Sequence, residues 1–296
     1  LAGRARVRPA LRRLAAVGMA ASRVIAAPVL ARQRSTLEIH AIDVGQGDAL
    51  ALRTPRGRWI LVDAGPRGMG YDAGRSRVVP YLLRQGAGRL DLLVITHPDA
   101  DHVGGAAAVL DALGAGAVLD PGLAAGKDVY LEALREAAEG GTRWLAGVAG
   151  DELEIDGVRL RVLAPAPGEV AGGAESNAVS VVFRAEFGAF AALFTGDADV
   201  AVERRLLRDG PELLRAQLLK VGHHGSATST SEELLVAMGT PLAVISVGRR
   251  NRYGHPHPAV LERLERRGVR VLRTDRNGAI TIRAARSGAV RVETTR

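Results

Sequence analysis

The sequence predicts an α/β fold in which two β-sheets are covered by helices. Three observations predict it. Short apolar runs of strand length recur from residue 37 onward, several of them bounded by Gly, Asn or Asp turns. Further along the chain these runs alternate with segments of helical apolar spacing. The run "LDLLVITH" (90–97) is continuously apolar, as a strand buried on both faces would be.

The elements follow in order. "LEIHAIDV" (37–44) and "DALALRT" (48–54) read as strands around the turn Gly45-Gln46-Gly47. "RWILVDAG" (58–65) reads as a third strand, after a turn at Pro55–Gly57. "SRVVPYLLRQG" (76–86) reads as a short helix with Pro80 near its start and Gly86 at its end. Helices are expected at 105–114 and 128–141, each stopped by glycine. Residues 152–165 form a hairpin candidate turning at Asp156-Gly157, and 178–199 two strands around Gly188. A helix at 199–208 is followed by a strand running into a His-Gly loop at 216–226. Then come a helix (231–238), a strand (242–247), a helix (258–267), a strand (270–274) and a closing hairpin around Asn277-Gly278. Pro165 to Gly173 reads as a flexible loop, not a domain boundary.

At 296 residues the chain fits one large α/β domain, expected over 37–296, after a distinct segment at 1–36. A hydrophobic fraction of 47% supports a sizeable core, and 3% aromatics means a core mostly of Ala, Val and Leu. The absence of cysteine excludes disulfides, thiolate metal sites and a cysteine nucleophile. The net charge of +8 is local. Residues 1–35 hold eight arginines and no acid, and the remainder has 32 basic residues against 32 acidic ones. The charge balance is therefore no global signal for nucleic acid. The first residue is Leu1, as expected of a fragment or a processed product. The order basic-then-apolar, ending in "LAAVGMAASRVIAAPVLA" (14–31), has the layout of a linker, an anchor or a signal. Arg23 interrupts the apolar run, which falls short of the about 20 apolar residues a spanning helix needs.

Six of the seven histidines fall in three places: His97 and His102, His223 and His224, His255 and His257. Each place lies at or beyond the end of an expected strand, where α/β folds carry their sites. "THPDADHVGG" (96–105) sets His97, Asp99, Asp101 and His102 within six residues. Imidazole and carboxylate are ligands for Zn, Mn, Fe or Co, and four together exceed what a helix cap explains. "LFTGDAD" (193–199) delivers Asp197 from a strand, a position that alone would suit a cap. "LKVGHHGS" (219–226) sets His223 and His224 between glycines, with Lys220 before and Ser226 after. His255 and His257 flank prolines and would equally suit a plain turn.

These residues carry a resemblance. "HPDADH" resembles the HxHxDH signature of the metallo-β-lactamase fold, with Asp99 at the second histidine. Asp63 in "ILVDAG" corresponds to the acid ending an early strand in that family, Asp197 to its bridging aspartate and His223 to its late histidine. With "DVGQGDA" (43–49), "SNAVSVVF" (176–183) and "YGHPHP…VLRTDRNGAI", the motifs are similar to the metallohydrolase domain of ComEC-type competence proteins, from Leu37 to about Ile282. The resemblance implies an αββα four-layer sandwich. It implies a metal-dependent hydrolase, a phosphodiesterase or nuclease acting on DNA, with a single strand as substrate in DNA uptake. It implies two divalent ions, Mn²⁺ or Zn²⁺ with Mg²⁺ also compatible. His97, Asp99 and Asp197 would hold one; Asp101, His102, Asp197 and His223 would hold the other. Asp101, His224 and Lys220 would be catalytic, and Asn177, Ser226, His255 and His257 would contact substrate. Asp43 and Asp48 would shape the loop behind the ligands. A membrane channel partner or an upstream membrane domain is implied, and with it a membrane-associated or exported location ahead of a cytoplasmic one. Asp99 replaces a histidine of the wider fold, and Asn177 stands where another histidine is usual, which tilts the donor set toward oxygen and toward Mn²⁺ or Mg²⁺. Two other readings keep the same residues: hydrolysis of a small ester, lactone or phosphoester, and a non-catalytic domain binding DNA or a membrane partner.

Overall fold

A computed structural model of the chain describes residues 35–123, 126–170 and 175–296. The N-terminal segment expected at 1–36 therefore falls almost wholly outside the described residues, as does the end of the loop expected at 165–173. The chain first lays down β1 (Thr36–Ala41), β2 (Leu50–Arg53) and β3 (Trp59–Val62), then a small separate hairpin of β4 (Arg67–Gly68) and β5 (Tyr71–Asp72). A helical turn at Gly74–Val78 leads into α1 (Val79–Arg84), with Pro80 in its first turn, where no backbone donor is needed. Next come β6 (Leu90–Val94), α2 (Ala100–Val103), α3 (Ala106–Leu113), β7 (Ala115–Asp120), α4 (Asp128–Glu139) and β8 (Arg143–Ala146). The second half holds β9 (Glu152–Ile155), β10 (Val158–Ala164), β11 (Val182–Phe187), β12 (Phe190–Phe194), α5 (Val200–Asp209) and β13 (Leu218–Lys220). It continues with α6 (Glu232–Met238), β14 (Leu242–Ile245), α7 (Pro258–Arg266), β15 (Arg270–Arg273) and α8 (Thr274–Asn277). The hairpin of β16 (Ile280–Ala285) and β17 (Val290–Thr294) closes the chain.

Two sheets result, with strand orders β17-β16-β1-β2-β3-β6-β7-β8 and β15-β14-β13-β12-β11-β10-β9. Their inner faces meet in one apolar layer, in which Ile39, Leu52, Ile60 and Leu92 face Phe183, Phe187, Phe190 and Phe194. All four phenylalanines of the chain sit in this layer, and Phe183 stacks on Phe194 with centroids 4.7 Å apart. In β12 the alternation is strict: Phe190, Ala192 and Phe194 point inward, Ala191 and Leu193 outward. The outward face of the first sheet is covered by α1, α3 and α4 through Leu82, Val109, Leu110, Tyr130 and Ala133. The outward face of the second is covered by α5, α6 and α7 through Leu206, Leu234, Leu235, Val260 and Leu264. The result is a four-layer αββα sandwich, the expected fold class.

Three sequence expectations change. The strand at 90–97 leaves the sheet after Val94, so Thr96 and His97 lie in the loop beyond it. The hairpin around Asn277-Gly278 does not form. Thr274–Asn277 make one helical turn, Gly278 (φ +68) ends it, and the chain crosses from β15 in one sheet to β16 in the other. The hairpin turn lies instead at 286–289, closed by the Ala285 N–H donating to the Ala289 carbonyl at 2.9 Å. The strands β7 and β8 extend the first sheet beyond what the sequence pattern predicts.

This topology sets where chemistry can happen. β3, β6, β7 and β8 run parallel, as do β12, β13, β14 and β15. Their C-terminal ends therefore open on one edge of each sheet, where ligands bind in open α/β sheets. β2 runs antiparallel to β3, with Leu50 opposite Val62. The residues just before β2 thus arrive at that same edge.

Candidate functional site

Several segments meet at this edge. Asp48 precedes β2, Asp63 follows β3, the loop after β6 carries His97 and Asp99, and α2 carries Asp101 and His102. Asp197 follows β12, His223 and His224 follow β13, and His255 lies in the loop after β14. Gly47 allows the closure: its φ is +139, and a Cβ there would run into the Asp101 carbonyl oxygen. Asp63, His223 and His224 adopt positive φ of 57, 46 and 53°, a strained region for such residues and one concentrated at functional sites.

Asp197 is the meeting point. Its Oδ1 lies 3.2 Å from His102 Nε2. Its Oδ2 lies 3.6 Å from His223 Nε2, 3.7 Å from His224 Nε2 and 3.9 Å from His97 Nε2. Asp99 Oδ2 is 3.7 Å from His97 Nε2, and Asp101 Oδ2 is 3.3 Å from His224 Nε2. Ser180 Oγ accepts from the Asp197 backbone N–H and so fixes the turn that presents it.

Hydrogen bonding behind the histidines fixes their tautomers. Thr96 donates its backbone N–H to Asp63 Oδ1 and its hydroxyl to Oδ2, at 2.8 and 2.7 Å. With its proton spent there, Thr96 Oγ1 accepts from His97 Nδ1 at 3.0 Å. His97 Nε2 then carries a lone pair, buried and without a hydrogen-bond partner, facing two carboxylates. A lone pair aimed at two anions is repulsive unless a cation lies between them. His102 Nδ1 likewise donates to Asp63 Oδ2 at 2.8 Å, and His224 Nδ1 to the Ser246 carbonyl at 3.0 Å, so both present Nε2 inward. Asp48 Oδ1 and Asp197 Oδ1 are buried without a well-directed hydrogen bond. Asp48, His102, Asp197 and His224 each offer a donor atom, all within 4.8 Å of one another. These donors, a mixture of nitrogen and oxygen that includes orphaned atoms, fit a divalent metal.

Electrostatics agree. Burial pushes His97 down to about 4, helped by the charge of His102, so it is the neutral, ligating form at neutral pH. Burial opposes charge on His102 and His224 too. Asp197 and Asp63 nevertheless hold His102 well above the usual imidazole range, and Asp197 and Asp48 hold His224 up at about 9. Burial would raise Asp101, but its hydrogen bond with His224 and the charge of His102 keep it at about 2. Asp197 is held well below the carboxylate range by the surrounding imidazoles, against its burial. The pocket's field is thus that of ionised carboxylates needing positive charge.

The remaining expected residues are placed as follows. Lys220 is buried, donating to Asp48 Oδ2 at 2.6 Å and to the Val221 carbonyl at 2.9 Å. Lys127, which no sequence motif marks, pairs with Asp99 and also reaches Ser176 Oγ. Asn177 begins a short turn beside the site and leaves Oδ1 buried without a partner. Ser226 Oγ hydrogen-bonds Thr228 Oγ1 at 3.0 Å. The His255 ring stands 5.6 Å from that of His223 and 6.5 Å from that of His224. His257 instead caps α7, accepting from the Ala259 N–H. Asp43 is bound by Arg296 at 2.5 Å, away from the donor cluster. Asp48, expected from sequence to shape the loop, is in the cluster itself; the signal was the antiparallel turn that puts the start of β2 beside the end of β3.

A family model for the metallo-β-lactamase superfamily matches residues 42–249, which contain every donor of the cluster. The chain belongs to the metallo-β-lactamase superfamily. Within it, the chain is similar to ComE operon protein 3 of Bacillus subtilis, 35% identical over 251 residues, covering 80% of this chain and 32% of that protein. It is also similar to competence protein ComA of Neisseria gonorrhoeae, 36% identical over 233 residues, covering 79% of this chain and 30% of that one. The chain thus spans about a third of the length of the curated relatives it matches. Among solved structures, the metallo-β-lactamase fold protein YhfI of Bacillus subtilis superposes with a TM-score of 0.51 at 13% identity, over 87% of this chain and all of YhfI. That likeness shows the superfamily's fold. Among the described residues no helix is long and apolar enough to cross a membrane.

Proposed function

We propose that the protein is a two-metal phosphodiesterase that cleaves DNA, with a single strand as substrate, in a DNA-uptake system of the membrane. The observation that carries this reading is the convergence of four imidazoles on Asp197, with His97 Nε2, Asp48 Oδ1 and Asp197 Oδ1 buried and left without a hydrogen-bond partner. The similarity to competence proteins supports the DNA-uptake setting.

His97, Asp99 and Asp197 would hold one ion, and Asp101, His102 and Asp197 the other. His224 is favoured over His223 as the further ligand of the second, because its Nε2 is buried and lies 3.3 Å from both Asp101 and His102 Nε2. Asp48, whose donor atom lies in the same group, stands beside it. When bound, Mn²⁺, Zn²⁺ or Mg²⁺ would supply Lewis acidity toward an attacking water and toward the charge on phosphorus. The chain's own part is orientation and exclusion of water. Asp63 and Thr96 lock the first two histidines. Lys220 acts on the site through Asp48, which it positions and keeps ionised. His223, 28% exposed, forms the rim with His255, where a phosphoryl oxygen would arrive. Ser226 and Asn177 would make weaker polar contacts with the substrate.

The test is cleavage of a labelled single-stranded oligonucleotide and of a small chromogenic phosphodiester, with Mn²⁺, Zn²⁺ and Mg²⁺ compared after chelation. Asp101→Ala is expected to abolish cleavage while the protein still folds. Cleavage unchanged in that variant, or hydrolysis of esters and lactones but not of phosphodiesters, would sink the reading.

A further inference from the structure

We infer that a nucleic-acid strand leaves the site along a cationic track, over the loop before α7 and into an arginine-lined cavity beside α1. The inference rests on the phosphodiesterase reading above and adds where the strand lies.

The cavity has a volume of about 430 Å³, and its polar lining includes Asp43, Arg77, Tyr81, Arg84, Gln85 and Arg296. Its one acid is already answered, since Arg296 Nη2 binds Asp43 Oδ2 at 2.5 Å. Arg77 and Arg84 are exposed, and among the described residues no carboxylate pairs with either. The adjoining cavity differs in charge, although beyond residue 35 basic and acidic residues are equal in number. The cavity between α3, α4 and the β4–β5 hairpin is lined by Asp72, Asp111, Glu132 and Glu136 with only Arg67 and Arg75. The two cavities share Ser76, yet carboxylates collect in the one and arginines in the other.

The loop between β14 and α7 connects this cavity to the site. It carries Arg249, Arg250 and Arg252, and Tyr253 is 57% exposed. The Arg252 guanidinium lies over the Tyr253 ring at 5.4 Å, and that ring is 6.0 Å from the ring of His255 at the rim. Hydrogen bonds make the path continuous. Arg249 Nε and Arg296 Nη1 both donate to the Asp275 carbonyl, at 2.9 and 3.4 Å, and Arg296 reaches on to Asp43. The loop is pinned to the other strand end by Gly248 N–H donating to Gln46 Oε1 at 3.2 Å. An exposed aromatic ring among guanidinium groups is how single strands are held without sequence preference: a base stacks, and phosphates meet arginine forks. A small phosphoester would need none of it.

The experiment is binding of fluorescein-labelled oligothymidylate by fluorescence anisotropy across a salt series, in chelator so that nothing is cut. For single strands, the slope of log affinity against log salt falls by about 0.7 for each phosphate that is no longer neutralised. The triple variant Arg77→Glu/Arg84→Glu/Arg250→Glu is expected to lower the slope by about 2. Tyr253→Ala is expected to weaken binding about tenfold with the slope unchanged. Arg208→Glu, exposed at the end of α5 on the second sheet's covering layer, serves as the control and should keep the wild-type slope. A wild-type slope in the triple variant, an equal loss per charge in the control, or no oligonucleotide binding by the wild type overturns the track. So does binding to phosphatidylglycerol vesicles in place of the oligonucleotide. Hydrolysis of a small chromogenic diester by the wild type is read separately. Its failure counts against the phosphodiesterase reading and leaves the strand-binding result interpretable.

Discussion

Replacing Lys220 by Met is the most direct probe of how the donor cluster is held. Lys220 is 2% exposed and Asp48 is 1% exposed, and their ion pair spans 2.6 Å. The only other charged neighbours of that carboxylate are His224 Nδ1 at 3.4 Å and His102 Nδ1 at 3.8 Å, among the described residues. Burial alone would raise the Asp48 carboxyl; Lys220 first, and then His224, hold it far below the carboxylate range instead. Methionine fills the lysine's volume but leaves Asp48 a buried charge with its main partner gone. Breaking a buried pair on one side costs about 3–5 kcal/mol. In a domain of this size each kcal/mol moves the melting temperature by about 2–4 °C, so a fall of about 6–20 °C is expected. The assay is calorimetry in chelator, so that no cation substitutes for the lost ammonium. Asp48→Asn/Lys220→Met, with neither charge left, should recover much of the loss. The deficit of the single variant should also shrink on acidification. The wild type loses the stability of an ionised Asp48 only far below its unfolded value of 3.8, whereas the variant carboxyl takes its proton earlier. A single variant that melts with the wild type, or a double variant no more stable than the single, would refute the reasoning.

Other expectations follow from the same geometry. Asp63→Asn keeps the shape but withdraws the charged acceptor from His102 and Thr96, and should weaken divalent-cation binding about 10–100-fold by titration calorimetry; an unchanged Kd would remove its orienting role. Burial raises Asp120 to about 6 from 3.8 in the unfolded chain, against its bonds from Tyr130 and the Gly122 N–H. The folded state therefore keeps its proton where the unfolded state has lost it, and stability should fall by about 3 kcal/mol as pH rises through that window. Asp120→Asn should flatten this fall in melting curves from about pH 4 to about pH 7, and an identical slope in the variant would count against the shift. Gly47→Ala would drive a Cβ into the Asp101 carbonyl oxygen at a φ of +139, so it should cost about 1–3 kcal/mol of stability and depress turnover. Wild-type turnover in that variant would mean the loop yields freely.

Much of the fold was legible because its strands are short, buried and separated by turns with unambiguous chemistry. Asp156-Gly157 and Gly188 each close a hairpin where expected, with positive φ at all three residues. β8 was not legible. Its residues Arg143, Trp144 and Ala146 are exposed, so neither alternation nor a continuous apolar run marks it as the edge of the first sheet. Asn277-Gly278 misled for a different reason. The pair has the chemistry of a hairpin turn, but β14 already offered β15 a parallel partner and β1 offered β16 an antiparallel one. Pairing over long range decided what the local turn signal could not. At the site, the residue types were readable and their mutual placement was not. Nothing local distinguishes Asp43, bound by Arg296, from Asp48, five residues on and bound by Lys220. That difference depends on where β2 begins relative to β3.

The pairing of β1 with β16 has a consequence for biogenesis. His40 and Thr281 sit opposite one another although 241 residues separate them. A nascent chain emerging from the ribosome would hold β1 with one edge bare until almost the whole domain has been synthesised. Long-range pairing of this kind folds slowly. An apolar strand left waiting is also an aggregation hazard, and a chaperone that shields "LEIHA" (37–41) during translation would raise the yield of folded protein.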